Sequence, residues 1–528
     1  RGPENSKIIE LECPNIFLGF HRLAINGYND EMSNQPFLID GIYLICNGEI
    51  YNWKKLYSMM NINGYSNSDC EVIIHMYKKY GIEHTLKLLD GVFAFVLVDT
   101  NTNDIYIARD SFGVRPLFIQ KNGSQYMFAS ELKQLDGIMN TSEKKQFNPG
   151  TYSQIKYTIS KNWKNSTTFY KEIIKNKPFM VLSVPTNSTF SDNSMFYYCN
   201  EINKSLKEAV KKRVNNTDRE IACLLSGGLD SSLITALVQK LCPEKELTTW
   251  SIGLEGSEDL KYARMVADHL GTKHNEIVIS EKEFLSCFES VIYAIESYDT
   301  TTVRASIGNW LISKYIKERS NCKVVFNGDG SDEVCGGYMY FHCAPDSIEF
   351  DKECKKLLSE IHWFDVLRSD RSISSHGLEA RTPFLDTNFV HTYLSIPADI
   401  RNHAANGQCE KYLLRKAFDN GLLPKEVLWR TKEAFSDGVS SQTRPWFQVI
   451  QEHIKDKIFN NKVLNNQYKF YKYNKPETLE QLHYRMVFES YFPNCNLNII
   501  PKFWMPNFVD ATDASARTLD VYKKLLKK

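Results

Sequence analysis

Residues 221–232 read Ile221-Ala222-Cys223-Leu224-Leu225-Ser226-Gly227-Gly228-Leu229-Asp230-Ser231-Ser232. An apolar run of this length, closed by glycine, reads as a buried strand. The pattern from Asp230 to Leu241 reads as a helix. A strand that turns through two glycines into a helix is an anion cradle. The glycines let the backbone approach a ligand closely, and the helix start offers free N–H groups and a positive dipole end. Ser226, Ser231 and Ser232 add hydroxyl donors, and Asp230 supplies a hard oxygen for Mg²⁺ beside phosphates. The stretch matches neither GxxxxGK[ST] nor GxGxxG.

Outward from it, strand and helix alternate. Lys204–Val214 has amphipathic helical spacing, Leu247–Ile252 reads as a strand, Leu260–Leu270 as a helix and Val324–Phe326 as a short buried strand. That order predicts a parallel sheet covered by helices. After the last strand comes Asn327-Gly328-Asp329-Gly330-Ser331-Asp332-Glu333, a second glycine turn carrying three acids. Ligands of open α/β sheets bind at such strand ends. Asp332 is therefore paired with Asp230 as a metal ligand, and Asp329 is expected to face a nucleotide or acyl group.

The first 160 residues read differently. Ile42–Cys46 and Gly91–Asp99 are apolar runs, Asp104–Arg109 alternates polar with apolar, and residues 69–81 have helical spacing. This predicts stacked strands with some helix. Lys175-Asn176-Lys177-Pro178 and the Thr, Asn and Ser between 185 and 194 read as an exposed connection, with 179–182 as a short strand within it. The expected organisation is residues 1–170, a linker at 171–195, and residues 196–528.

Lys plus Arg is 64 against 63 for Asp plus Glu, so nothing in the overall charge draws the chain to nucleic acid or an anionic membrane. No run of 18 apolar residues suggests a membrane span, and no signal peptide is visible. Thirteen scattered cysteines without a CxxC pair point to reduced thiols in the cytoplasm.

Several longer motifs complete the picture. They are Phe20-His21-Arg22-Leu23-Ala24-Ile25, Cys46-Asn47-Gly48-Glu49-Ile50-Tyr51-Asn52, Thr301-Thr302-Val303-Arg304-Ala305-Ser306, the stretch His376 to Asp386, Trp429-Arg430-Thr431-Lys432-Glu433 with its continuation to Gly438, and Ala511 to Thr518. With the Ser226–Ser232 loop, which looks like the PP-loop of ATP pyrophosphatases, they make the chain resemble the class B, glutamine-dependent asparagine synthetases over nearly its whole length.

The resemblance implies a fold. Its first part is an N-terminal-nucleophile hydrolase sandwich with two stacked antiparallel sheets between helices. Its second is a parallel-sheet ATP pyrophosphatase domain with a helical C-terminal part. It also implies roles. Arg22 would hold the glutamine carboxylate, Asn47 and the Gly48 amide would form an oxyanion hole, and Glu49 and Asp69 would bind the α-amino group. Leu224, Ser226, Gly227, Gly228, Asp230, Ser231, Ile252, Asn327 and Gly328 would hold ATP. Asp230 and Asp332 would hold Mg²⁺, Thr301 and Arg304 would position aspartate, and Lys432 would stabilise pyrophosphate. Asp329 stands where the family has Glu, one methylene longer, which acts at formation of the acyl-adenylate.

The implied reaction hydrolyses glutamine in the first domain. In the second, aspartate attacks MgATP to give β-aspartyl-AMP, and ammonia arriving through an internal tunnel releases asparagine and AMP. Substrates are aspartate, glutamine and ATP, and a homodimer is compatible. The family's nucleophile is an N-terminal cysteine upstream of the Arg-Gly-Pro with which this chain begins. Cys13, Cys46 and Cys70 do not match its place, so the natural start is expected further upstream. A β-lactam-synthetase-like ligase would have no reason to keep Arg22, Asn47, Glu49 and Asp69 together. A non-catalytic binding homologue would be expected to lose Asp230, Asp332 or Lys432.

Overall fold

The computed structural model describes all 528 residues except 12–14, 138–142, 163–164, 180–191, 245, 434–437, 441–443, 460–470, 494, 496–498 and 526–528. Cys13, most of the strand expected at 179–182 and the centre of the 429–438 motif therefore fall outside the described residues. The chain forms two compact units. One comprises Arg1–Leu182, Asn215–Arg219 and Asn494–Ile499; the other comprises Ser183–Val214, Glu220–Pro493 and Ile500–Lys528.

In the first unit, β1 (Asn5–Glu10) and β2 (Phe17–Arg22) form an antiparallel pair. The main sheet has six antiparallel strands. Five are β3 (Phe37–Ile39), β4 (Ile42–Ile50), β5 (Gly91–Asp99), β6 (Asp104–Arg109) and β10 (Thr151–Asn162). The sixth is β11 (Asn165–Pro178), and the spatial order is β11-β10-β6-β5-β4-β3. Three more strands, β7 (Phe118–Asn122), β8 (Gln125–Ala129) and β9 (Glu143–Gln146), form a separate sheet.

Strand β5 shows why its run is continuously apolar. Phe93, Phe95 and Leu97 join a core with helices α1 (Trp53–Met60) and α2 (Val72–Leu88). Ala94, Val96 and Val98 join a second core with Leu18 of β2, Leu117 and Phe147. Successive side chains point to opposite faces, and both faces are covered, so no polar position remains. The helix expected from residue 69 to 81 continues to Leu88 but breaks at Gly81, where φ is 72°.

Residues 171–178 correct the sequence reading. They are not a connection but the second half of β11, which pairs along β10 from Asn162↔Asn165 to Thr151↔Pro178. As the outermost strand of the sheet, β11 can be polar and can end in proline, because one edge makes no ladder bonds. The chain re-enters helix at Asp192, within the expected linker, as α3 (Asp192–Val214).

The second unit is built on five parallel strands: β12 (Ile221–Leu224), β13 (Thr248–Leu254), β14 (Lys273–Ile279), β15 (Val324–Phe326) and β16 (Glu379–Arg381). Their order is β14-β13-β12-β15-β16. Helices α4 (Leu229–Leu241) and α5 (Glu258–Leu270) connect the first three strands. The chain leaves β12 toward one edge and returns to add β15 and β16 on the other side. The switch point between β12 and β15 opens a crevice at the strands' carboxyl ends. Among the described residues no helix is long and apolar enough to cross a membrane.

Candidate active site

The turns after β12 and β15 meet at that switch point. A Cβ on Gly328 would lie 2.7 Å from the Asp230 Cβ, so only glycine lets the two turns touch. Gly227, at φ +73°, packs against the Tyr262 and Ala263 backbone and faces α5. Its carbonyl accepts from Arg430 Nη1 at 3.2 Å. No side chain caps the start of α4. Ser231 Oγ accepts from the Ser226 amide at 3.2 Å and lies 3.0 Å from Ser226 Oγ.

One cleft is lined by Leu224, Ser226, Gly228, Asp230, Ser231, Ile252, Thr301, Asn327, Gly328, Asp329, Asp332 and Lys432. Sequence reasoning had named all of these. At its centre, Lys432 Nζ lies 2.7 Å from Asp332 Oδ2 and 3.8 Å from Asp230 Oδ2. Lys411, which sequence reasoning missed, bridges the same two acids. Its Nζ lies 2.6 Å from Asp230 Oδ2 and 2.6 Å from Asp332 Oδ1, with 1% of its side chain exposed. Ser331 Oγ donates to Asp230 Oδ1 at 2.7 Å. Burial pushes the Asp332 carboxyl up, but Lys411 and Lys432 outweigh it and hold the group below the usual carboxylate range. Burial likewise pushes Lys432 down, but Asp332 and Asp230 hold it above the ordinary lysine value. Lys411 follows the turn at Gly407, where φ is 65°, but sits in no motif that marks it.

Asp329 Oδ1 pairs with Arg368 Nη2 at 2.9 Å, and among the described residues its buried Oδ2 finds no hydrogen-bond partner. Arg368 also pairs with Asp365 at 2.7 Å. The Tyr338 hydroxyl lies 2.5 Å from Glu333 Oε1 and 2.6 Å from Asp365 Oδ2. Burial and the neighbouring Asp365 push Glu333 well above the usual carboxylate range.

Arg304 is a correction. It does not line the cleft. Its guanidinium binds Glu480 through Nε at 2.8 Å and Nη2 at 2.6 Å, and Asp513 through Nη1 at 2.7 Å. A buried guanidinium between two carboxylates has no fork left for a substrate. The Thr-Val-Arg pattern lies on the helix Thr300–Arg319, where Thr301 lines the cleft while Arg304 turns to Glu480 and Asp513. Among the described residues, the buried Thr301 hydroxyl finds no hydrogen-bond partner.

In the first unit, the end of β4 carries Asn47, Gly48 and Glu49. A Cβ on Gly48 would lie 2.3 Å from the Val92 carbonyl oxygen, so β5 requires glycine here. Asn47 Nδ2 donates to Ser130 Oγ at 3.4 Å. The Asp69 carboxylate accepts from the Ile50 amide at 2.7 Å. Glu49 Oε2 accepts from Asn26 Nδ2 at 2.7 Å. Asn216, also missed, donates to Glu49 Oε2 at 2.7 Å and Asp69 Oδ2 at 3.2 Å. Arg22 Nη1 donates to Asn34 Oδ1 at 2.9 Å, and its Nη2 to the Asn26 and Gly27 carbonyls at 2.9 and 2.7 Å. Arg22 thus anchors the turn that brings Asn26 to Glu49.

Among the described residues no group of three or more His, Cys, Asp or Glu is arranged to hold a metal. Asp230 and Asp332 offer two carboxylates, the oxygen donors a hard cation takes, and Lys411 bridges them at 2.6 Å.

Comparison with known proteins agrees with this division. The asparagine synthase family model matches residues 201–353 and 348–491, and the glutamine amidotransferase domain model matches 1–198. The chain is 40% identical to the glutamine-hydrolysing asparagine synthetase of Gallus gallus, over 100% of this chain and 95% of that protein. It is also 40% identical to that of Homo sapiens, with the same coverage.

Proposed function

The chain belongs to the glutamine-hydrolysing asparagine synthetases, and from that premise we propose how its residues divide the work. The reaction is ATP-dependent synthesis of asparagine with glutamine as nitrogen donor, a carbon–nitrogen ligation. The meeting of the two glycine turns at the switch point supports placing ATP there, with Leu224 and Ile252 at two strand ends beside the adenine. The PP-loop amides, Ser226 and Ser231 would cradle the phosphates.

Aspartate's β-carboxylate attacks the α-phosphate, giving β-aspartyl-AMP and pyrophosphate. A carboxylate approaching a polyanion needs positive charge, and Lys411 and Lys432 supply it on the acid pair. Asp230 and Asp332 would hold Mg²⁺ beside the phosphates, where it would supply further positive charge against that repulsion. Thr301, Asp329 and Arg368 would meet the aspartyl end. In the first unit, Glu49 and Asp69 would take glutamine's α-ammonium, and Asn47 with the Gly48 amide its oxyanion. An Arg22 contact to the carboxylate would exchange Asn34 for the substrate. Buried free thiols at Cys223, Cys322 and Cys335 support a reducing, cytoplasmic setting. A homodimer belongs to the same proposal and is open to light scattering.

The natural full-length protein with aspartate, MgATP and glutamine should form asparagine, AMP, pyrophosphate and glutamate. Release of ADP and phosphate would overturn the adenylation reading. A second expectation concerns the acid turn. Asp329→Glu should keep or raise the rate of pyrophosphate release, because the longer acid can reach further into the cleft while Asp365 retains Arg368. A loss of about tenfold or more would show that the loop has settled around the shorter acid.

A further inference from the structure

Asn216 lies between the end of α3 at Val214 and the start of β12 at Ile221, in a short segment that packs with the first unit. It is 4% exposed. Its orientation is fixed chemically. The Trp53 indole N–H, which can only donate, lies 2.9 Å from Asn216 Oδ1. The amide NH₂ must therefore face the acids, with one hydrogen for Glu49 and one for Asp69.

Resting on the glutamine reading above, we infer that Asn216 is a positioning residue that holds Glu49 and Asp69 side by side for the substrate's α-ammonium. Two adjacent carboxylates repel each other and would splay apart or take up a proton. A cation between them would hold them, but would fill the place of the ammonium. An amide gives two donors and no charge. Asn26 Nδ2 on Glu49 and the Ile50 amide on Asp69 add further neutral donors to the same oxygens. Because Asn216 acts through Glu49 and Asp69, its effect should be confined to recognition of the amino group.

The experiment is calorimetric binding to the natural full-length protein of L-glutamine and of 4-carbamoylbutanoate, which is glutamine without its α-amino group. Asn216→Ala should weaken glutamine about tenfold or more, the worth of a hydrogen bond to a charged group. The deaminated analogue should change by less than about twofold. Asn216→Asp serves as a second variant. Its added carboxyl can donate only when protonated, so glutamine affinity should fall as the pH rises from about 5 to 8, a dependence absent from the wild type. Equal weakening of both ligands, or no weakening of glutamine, overturns the positioning role. Failure of the wild type to bind glutamine overturns the glutamine reading, and this inference with it.

Discussion

Asp230→Asn should lower pyrophosphate release from aspartate and MgATP by about a thousandfold or more, the scale of losing several kcal/mol of charge stabilisation at the reacting phosphates. The amide keeps the shape and can still accept from Ser331 Oγ, which lies 2.7 Å from Asp230 Oδ1. It loses the charge that meets Lys411 at 2.6 Å and becomes a weaker ligand for a hard cation. Lys411 keeps Asp332 at 2.6 Å, but losing one of its two carboxylates should lower the melting temperature as well as the rate. The check is a pyrophosphate assay beside thermal unfolding, with ammonium as nitrogen source so that glutamine hydrolysis plays no part. A variant releasing pyrophosphate at the wild-type rate would remove Asp230 from the mechanism.

Lys411→Met should cost both stability and activity. The side chain keeps its reach but leaves Asp230 and Asp332 without their shared ammonium, with Lys432 at 2.7 Å from one and 3.8 Å from the other. Breaking a buried pair costs roughly 3–5 kcal/mol, because a desolvated charge is left uncompensated. The loss should depend on pH with a definite sign. Burial acts to raise Asp332, and Lys411 is the largest influence holding it down. A carboxylate held low stabilises the fold above its unfolded pKa, about 4, and that contribution fades as the pH falls through the folded value. The gap between wild type and variant should therefore be full from pH 7 down to about 4 and shrink as the pH falls further below it. Urea unfolding at several pH values measures it, and a gap independent of pH would show that the two acids do not feel Lys411 as a charge.

The tertiary structure changes the standing of individual residues more than that of motifs. Arg304 sits in a motif, yet its guanidinium is spent on Glu480 and Asp513, which lie far along the chain. Lys411 follows the Asn406-Gly407 turn and Asn216 lies in the turn-forming run Asn215–Asp218, and neither pattern marks the residue itself, yet each bridges a pair of acids. Residues 171–178 looked like a connection because an edge strand tolerates the same polar residues as a loop.

By itself, the sequence determined what depends on local order. The apolar run into Gly227-Gly228 specifies a strand, a turn and a helix. The continuous run from Val92 to Val98 specifies a strand covered on both faces. The alternation after Ile221 specifies a parallel sheet. These features follow from backbone freedom and side-chain period, which neighbours in sequence set. Only the tertiary structure decided which charges meet. The order β14-β13-β12-β15-β16 brings Asp332 beside Asp230, and packing delivers Lys411 to both at 2.6 Å. Burial then makes that meeting consequential, because charges without water must find each other.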